Sequence, residues 1–458
     1  MKVGFVQFSN GGIVRGAGYV VASMLRSGHQ VMFYDINKQR IQELATTMVM
    51  DKVGETLHAL LNPSIQSAID MIYEHKSNQM IDAIIRNKCE LVAVSATTLD
   101  MPLAAEIITE IKSKSRIPVI LGGIHPTILG GKILEQYPQI DYLCIGEGES
   151  MILDVISTLG TPEIETVENL AYRKDGKVIV NRIRPPEDLS ALPAFPWHIY
   201  AKNKVVNEDG WIYVTATRGC PYRCTYCCNE AYLKHYGSGY LRERPLDQII
   251  AELLQLKYIY KPKLLYFGDE MLLWDKDYAK GLFNAIKNYI GIPFGFMARV
   301  EYINKEIVDL AADCGCKYVG MGIECGDEYF RRAFLNRNMT NKQIEEAFRL
   351  FREKNIFTTS FNMIGYPFDN DNELTEATID LNRNVNPDFV QTSVFYPFPG
   401  TELYNRCIEN DLIDKTKLTQ VSSYMKNSVL KGVSLRKKQK EIDKIFNSRA
   451  NWRNHWAK

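Results

Sequence analysis

The chain has 458 residues, 46% hydrophobic and 24% charged, which is enough for two or three domains with substantial cores. Its net charge of +1, with no long block of either sign, argues against polyanion binding as the main task. Ten cysteines are too few for a disulfide scaffold of this length, and no run approaches the roughly 18 apolar residues of a membrane span.

The opening MKVGFVQFSNGGIVRG reads as a strand and a glycine loop. It lacks the charged, apolar and cleavage regions of a signal peptide, so a cytoplasmic protein in a reducing compartment is expected. Over residues 1–158, short apolar strands at 3–8, 31–35, 91–96, 118–123 and 141–146 alternate with helical stretches. The first of these stretches, GYVVASMLRSGH, stops at Gly28, and a longer one runs over roughly 37–86. Such alternation predicts a parallel α/β sheet, Rossmann-like (flavodoxin-like), with its ligand outside the carboxyl ends of the strands. That edge carries Ser9-Asn10-Gly11-Gly12, Ser95-Ala96-Thr97-Thr98, Gly122-Gly123-Ile124-His125-Pro126 and Gly146-Glu147-Gly148-Glu149. Glycine and hydroxyl residues there suit close backbone approach to a large flat or phosphate-bearing ligand. Gly16, Gly18 and Asp35 are part of a dinucleotide fingerprint, but Val21 stands where the third glycine belongs.

Residues 159–205 change character: Asp175-Gly176 joins two strand-like runs as a hairpin, and Pro185, Pro186, Pro193 and Pro196 mark a linker. A second α/β series fills 206–410, with strands at 213–217, 264–268, 295–298, 318–323, 358–364 and 389–395. Six such units predict an open, partial (β/α)6 TIM barrel whose active residues sit on the loops after the strands. Residues 411–458 read as a polar, helical C-terminal extension.

TRGCPYRCTYCCNE, at 217–230, holds Cys220, Cys224 and Cys227 in C-x3-C-x2-C spacing, with Cys228 adjacent. Thiolates suit zinc or iron–sulfur clusters. A structural zinc site would want a second close pair, and Cys314 and Cys316, at a helix-to-strand join, do not supply it. Three ligands on one loop better suit a [4Fe–4S] cluster with one iron open to a ligand. Cys228 is expected to point away from the metal.

This loop, with Tyr226 before its third cysteine, resembles the signature of the radical S-adenosylmethionine (SAM) enzyme superfamily. Later strand ends extend the resemblance: LLYFGDE, FGFMARVE, YVGMGIECG, MIGYP and FYPFPGTELY follow the family's order over about 205–410. The resemblance implies metal ligation by Cys220, Cys224 and Cys227, and SAM-side roles for Tyr226, Gly268, Asp269, Glu270, Arg299, Glu324 and Arg337. Asp269 and Glu270 would hold the SAM amino group, and Arg337 its carboxylate. Cys325 replaces a usual serine. Tyr213, Tyr222, Phe267, Trp274 and Phe395 are candidate cavity walls, and Tyr366, Tyr396, Cys228 and Cys325 candidate proton or hydrogen donors. No catalytic residue is assigned.

PVILGGIHPTILGG followed by CIGEGE is similar to the cobalamin-binding domain that precedes the barrel in one subclass of the superfamily. The implied cobalamin contacts are Asn10, Ser95, Thr97, Gly122, Gly123, His125, Pro126, Thr127, Gly146, Glu147 and Gly148. The D-x-H-x-x-G cobalt-ligand motif is absent, leaving His125 to line the corrin face or cap its loop. The implied activity is reductive cleavage of SAM to a 5′-deoxyadenosyl radical, with C-methylation of an unactivated carbon as the outcome. Cyclisation or rearrangement, a domain that has lost cobalamin, and a non-enzymatic iron–sulfur protein are the alternatives. A small-molecule or natural-product substrate and an electron donor such as flavodoxin or ferredoxin are the implied partners, with no nucleic acid.

Overall fold

The computed structural model describes residues 1–9, 12–37, 62–366, 371–417, 428–431 and 442. Asn10, Pro367 and most of the C-terminal extension lie outside the described residues. Two compact units divide the chain, Met1–Lys204 and Val205–Lys458.

In the first unit, strands β1 (Lys2–Ser9), β2 (Gln30–Asn37), β3 (Leu91–Ser95), β4 (Val119–Gly122) and β5 (Tyr142–Cys144) are all parallel, in the order β2-β1-β3-β4-β5. This is the flavodoxin-like arrangement, whose order reverses between β1 and β3. Strand alternation sends Val3 and Phe5 to one core with Val21, Met24 and Ile120, and Val6 and Phe8 to another with Ile81, Ile84 and Ile108. Both faces are therefore covered, which is why β1 reads as an almost unbroken apolar run.

The predicted hairpin forms from β6 (Leu170–Lys174) and β7 (Lys177–Val180), with positive φ at both Asp175 and Gly176. It is not an independent linker element. β6 pairs antiparallel with β5 and extends the sheet to seven strands, burying Leu170 and Ala171 completely.

The proline-rich stretch ends by packing on helix α1 (Arg15–Arg26). The Phe195 ring lies so close to Gly18 that a Cβ there would collide with it. The Arg15 guanidinium sits 4.1 Å from the Phe195 centroid and 4.8 Å from that of Trp197. Lys204 reaches the end of β2 and pairs with Asp35, and its Nζ donates to Ser9 Oγ at 2.7 Å. Gly18 and Asp35, which suggested a nucleotide fingerprint, are thus occupied by the chain itself.

Lys204 and Asp35 are each only 12% exposed. Replacing Lys204 by alanine leaves a nearly buried carboxylate without its cation, so the unfolding transition of this unit should drop by about 3 kcal/mol or more. Calorimetry of the full-length variant checks this, and Asp35→Asn in the Lys204→Ala background should recover part of the loss.

The second unit is an open, six-stranded parallel sheet of β8 (Trp211–Val214), β11 (Leu264–Phe267), β12 (Phe294–Ala298), β13 (Cys316–Glu324), β14 (Phe357–Ile364) and β15 (Phe389–Val394), in that spatial order. Between β8 and β11 lies a two-stranded ladder of β9 (Thr217–Arg218) and β10 (Arg242–Glu243). All six carboxyl ends open on one edge, and the loops after β8, β11, β12 and β13 converge there.

Candidate active site

The cysteine loop leaves β8 and is braced from several sides. Gly219 adopts φ +104 and passes so close to Tyr240 that a Cβ would meet its carbonyl oxygen. The Arg244 guanidinium donates to Thr215 O at 2.9 Å and pairs with Glu252, while Tyr278 Oη donates to Ala216 O at 3.0 Å. Further along, Thr225 Oγ1 donates to Phe334 O, Asn336 Nδ2 donates to Arg223 O at 2.8 Å, and Leu403 N donates to Thr225 O at 3.0 Å.

Within this frame Cys220 and Cys224 are buried, and Cys227 and Cys228 are partly exposed. Burial pushes the Cys220 thiol up to about 12, and the charges of Cys227 and Cys224 push the same way. Three thiols close enough to oppose one another's ionisation, on a loop with no disulfide, are a donor set that a metal cluster relieves. Cys228 does something else: it hydrogen-bonds Cys227, which lowers the Cys227 pKa and raises its own. Among the described residues no group of three His, Cys, Asp or Glu side chains is drawn together as for a single metal ion.

The acids after β11 face different ways. Glu270 reaches the surface, and its carboxylate accepts from the Gly219 N–H; crowding by protein raises its pKa, and Arg218 opposes that. Gly268 beside it borders open space. Asp269, expected to hold the SAM amino group, bonds to the chain itself. It is fully buried, and its Oδ1 accepts from Ala216 N at 2.7 Å, Thr217 N and Thr217 Oγ1 at 2.8 Å. Asp269 braces the start of the cysteine loop.

Burial raises the Asp269 pKa from 3.8 to about 6, outweighing its three donors. The native state therefore holds more protons than the unfolded chain between those values. Stability is fully present below about pH 4 and falls as pH rises towards 6, by about 3 kcal/mol at most. Asp269→Asn keeps the Oδ1 acceptor and should lose that slope, as denaturant unfolding of the metal-free protein from pH 4 to 7 would show.

Glu324 ends β13 in a left-handed conformation, φ +69, at a register shift against β14. This turns its carboxylate back over Gly322, where a Cβ would collide with Oε1. Arg337 Nη1 lies 3.4 Å from Glu324 Oε1 and donates to Tyr226 Oη at 3.2 Å, and Nη2 donates to Gly322 O at 2.8 Å. Burial opposes the Arg337 charge, but Tyr226 and Glu324 outweigh it and hold its pKa above the ordinary value. Burial raises Glu324, and Arg337 and Tyr226 draw it back. Tyr226, Glu324 and Arg337, far apart in sequence, are thus one group. Arg299 follows β12, 8% exposed, and donates from Nη1 to Cys224 Sγ at 3.6 Å.

Arg331, which the sequence gives no reason to single out, is fully buried. It donates to Cys325 O, Met339 O and Asn341 Oδ1, fixing the loop that carries Arg337. Of the suggested walls, Phe267 and Phe395 are core residues, 0% and 1% exposed, whereas Tyr213 and Trp274 are half-exposed. Cys325 is fully buried, and Tyr366 is buried with Oη 3.5 Å from Glu324 O.

In the first unit, the loops after β3, β4 and β5 are knitted together. Gly123, φ +106, packs against the Ala96 backbone, His125 Nδ1 meets Thr98 Oγ1 at 3.1 Å, and Thr127 Oγ1 donates to Gly123 O at 2.8 Å. Thr127 Oγ1 also accepts from Gly146 N at 3.0 Å, and Glu147 Oε2 accepts from Glu187 N at 2.7 Å. His125, Pro126, Thr127 and Glu147 are buried, whereas Ser95, Gly122, Gly123, Gly146 and Gly148 are partly exposed and Thr97 exposed. Burial lowers the His125 pKa to about 4, so the ring is neutral, and it serves as a loop brace. The bare glycine edge suits a large flat ligand; His125 is not placed as a cobalt ligand.

A flavodoxin-like domain followed by an open barrel with a three-cysteine loop defines a radical SAM protein with a cobalamin-type domain. Residues 214–380 match the model of the Radical SAM superfamily, and residues 66–156 that of the B12 binding domain. The chain thus carries a radical SAM domain and, before it, a B12-binding domain. It is 27% identical over 349 residues to an uncharacterized methyltransferase of Pyrococcus horikoshii, covering 74% of each chain. It is 24% identical over 374 residues to the anaerobic magnesium-protoporphyrin IX monomethyl ester cyclase of Rubrivivax gelatinosus, covering 77% of this chain and 64% of that one. Its fold is similar to the radical SAM methyltransferase TsrM of Kitasatospora setae (TM-score 0.65, 17% identity, 89% of this chain and 76% of that one). It is also similar to the cobalamin-dependent radical SAM enzyme OxsB (TM-score 0.64, 17% identity, 97% and 61%). The family's cofactors are SAM, a [4Fe–4S] cluster and, through the B12-binding domain, cobalamin. Among the described residues no helix is long and apolar enough to cross a membrane.

Proposed function

We propose that this chain is a cobalamin-dependent radical SAM methyltransferase acting on an unactivated carbon of a small molecule. The observation that carries the reading is the braced loop of Cys220, Cys224 and Cys227 beside the Tyr226–Glu324–Arg337 group, whose arginine is buried. When bound, the cluster and SAM supply the hydrogen-abstracting radical, and cobalamin supplies the methyl relay. The protein's own part is to hold these groups and exclude water.

Cys220, Cys224 and Cys227 would ligate the cluster. The bare backbone of Gly268 and the Glu270 carboxylate would receive the SAM ammonium, and Arg337, kept charged by Glu324 and Tyr226, its carboxylate. The exposed and glycine-rich ends of β3, β4 and β5 would cradle the corrin. An external one-electron donor of flavodoxin or ferredoxin type would reduce the cluster. The likeness to a cyclase gives ring formation as the second reading. Protein produced with cobalamin available should carry stoichiometric cobalt and bind SAM by calorimetry. Absence of cobalt would return the first unit to a retained fold without its ligand, and absence of SAM binding would sink the enzyme reading.

A further inference from the structure

Arg299 lies outside the group that Arg337 forms, and its surroundings are of a different kind. Its Nη1 donates to Cys224 Sγ at 3.6 Å, and its Nη2 pairs with Glu301. The Tyr222 ring lies under the guanidinium, 3.6 Å from centroid to Cζ. Tyr222 Oη is in turn held by Tyr302 Oη at 2.9 Å, and Tyr302 rests against Trp274, ring centroids 6.2 Å apart. A planar cation clamped between a ring, a carboxylate and a thiol has no freedom to swing towards a ligand without giving up Glu301.

We propose that Arg299 is a positioning residue that tunes the cluster: its N–H to the Cys224 sulfur and its charge, set against that of Glu301, raise the reduction potential. The proposal rests on the reading that Cys220, Cys224 and Cys227 hold the cluster. A hydrogen bond to a ligand sulfur and a nearby positive charge both favour the reduced cluster, which carries one more negative charge. Glu301 acts in the opposite sense. The step is the transfer of one electron from an external flavodoxin- or ferredoxin-type donor, which is oxidised, to the cluster, which is reduced; no bond is made or broken.

The test is a potentiometric titration, followed by electron paramagnetic resonance, of the reconstituted full chain and its Arg299→Gln, Arg299→Lys and Glu301→Gln variants, with iron and sulfide measured in each. Arg299→Gln should make the potential more negative by at least a tenfold change in reduced fraction, about 59 mV for a one-electron couple. Glu301→Gln should shift it the other way, and Arg299→Lys should fall between wild type and Arg299→Gln. Unchanged potentials at full iron content, or shifts of the same sign in Arg299→Gln and Glu301→Gln, would overturn the proposal. If Arg299→Gln does not load iron, Glu301→Gln decides: a potential that does not rise overturns it. A wild-type chain that takes up no iron would overturn the cluster reading and this proposal with it.

Discussion

Replacing any one of Cys220, Cys224 and Cys227 by alanine should abolish the iron–sulfur cluster and all SAM cleavage, whereas Cys228→Ala should keep both. The wild-type chain, reconstituted with iron and sulfide, should carry about four of each per chain. Burial disfavours the Cys220 thiolate, so its ionisation depends on the metal, and two thiols cannot hold what three share. Cys228 differs because its thiol hydrogen-bonds Cys227, and it stands at the start of the helix Asn229–Tyr236 without a side-chain capping bond. Its loss removes one hydrogen bond and no ligand. Iron and sulfide content, with counts of 5′-deoxyadenosine produced under reductant, check all four variants. SAM cleavage surviving in Cys220→Ala, Cys224→Ala or Cys227→Ala contradicts the assignment.

Gly219→Ala should be nearly as damaging, although it touches no ligand atom. Gly219 has φ +104, and an added Cβ would press on the Tyr240 carbonyl oxygen and the Leu241 Cα, which are backbone and cannot rotate aside. The residue stands directly before Cys220, so relief of the clash moves the first ligand. The left-handed strain and the overpacking each cost about 1–3 kcal/mol. The expected result is a loss of cluster loading that exceeds the loss of fold: circular dichroism near wild type, iron content far below it. Gly268→Ala is the contrast, since a Cβ there meets open space. It should fold and load iron normally, with any effect confined to SAM affinity.

Much of this architecture is legible in the sequence because it depends on local pattern. The five apolar runs before residue 150 became β1 to β5, and the six later runs the open barrel, each within a few residues. Asp175-Gly176 predicted its hairpin because a two-residue turn needs positive φ at both positions. Adjacency in sequence suggested a Cys228 side chain turned away from the other thiols, whereas its thiol hydrogen-bonds Cys227.

What was not legible depends on contacts between distant residues or on side-chain direction. Gly18 and Asp35 resembled a nucleotide site because nothing local shows that Phe195 and Lys204 fill it. Asp269 and Glu270 are equivalent as letters; only the folded chain separates the buried brace from the exposed acid beside it. Arg299 and Arg337 both follow strand ends, but one meets a thiol and the other a carboxylate and a phenol. Arg331 gave no signal, since a fully buried arginine in a charged segment reads as surface.

The measurement that bears most directly on the central claim is the product count from SAM. The reconstituted, cobalamin-loaded chain would be given a one-electron reductant, SAM and candidate small molecules. On the proposed reading one SAM is spent on the radical and one on the methyl group, so 5′-deoxyadenosine and S-adenosylhomocysteine should form in equal amounts. Equal, cysteine-dependent formation of both is the predicted result. 5′-Deoxyadenosine without S-adenosylhomocysteine would move the assignment to ring formation or rearrangement, and SAM left intact would contradict the account.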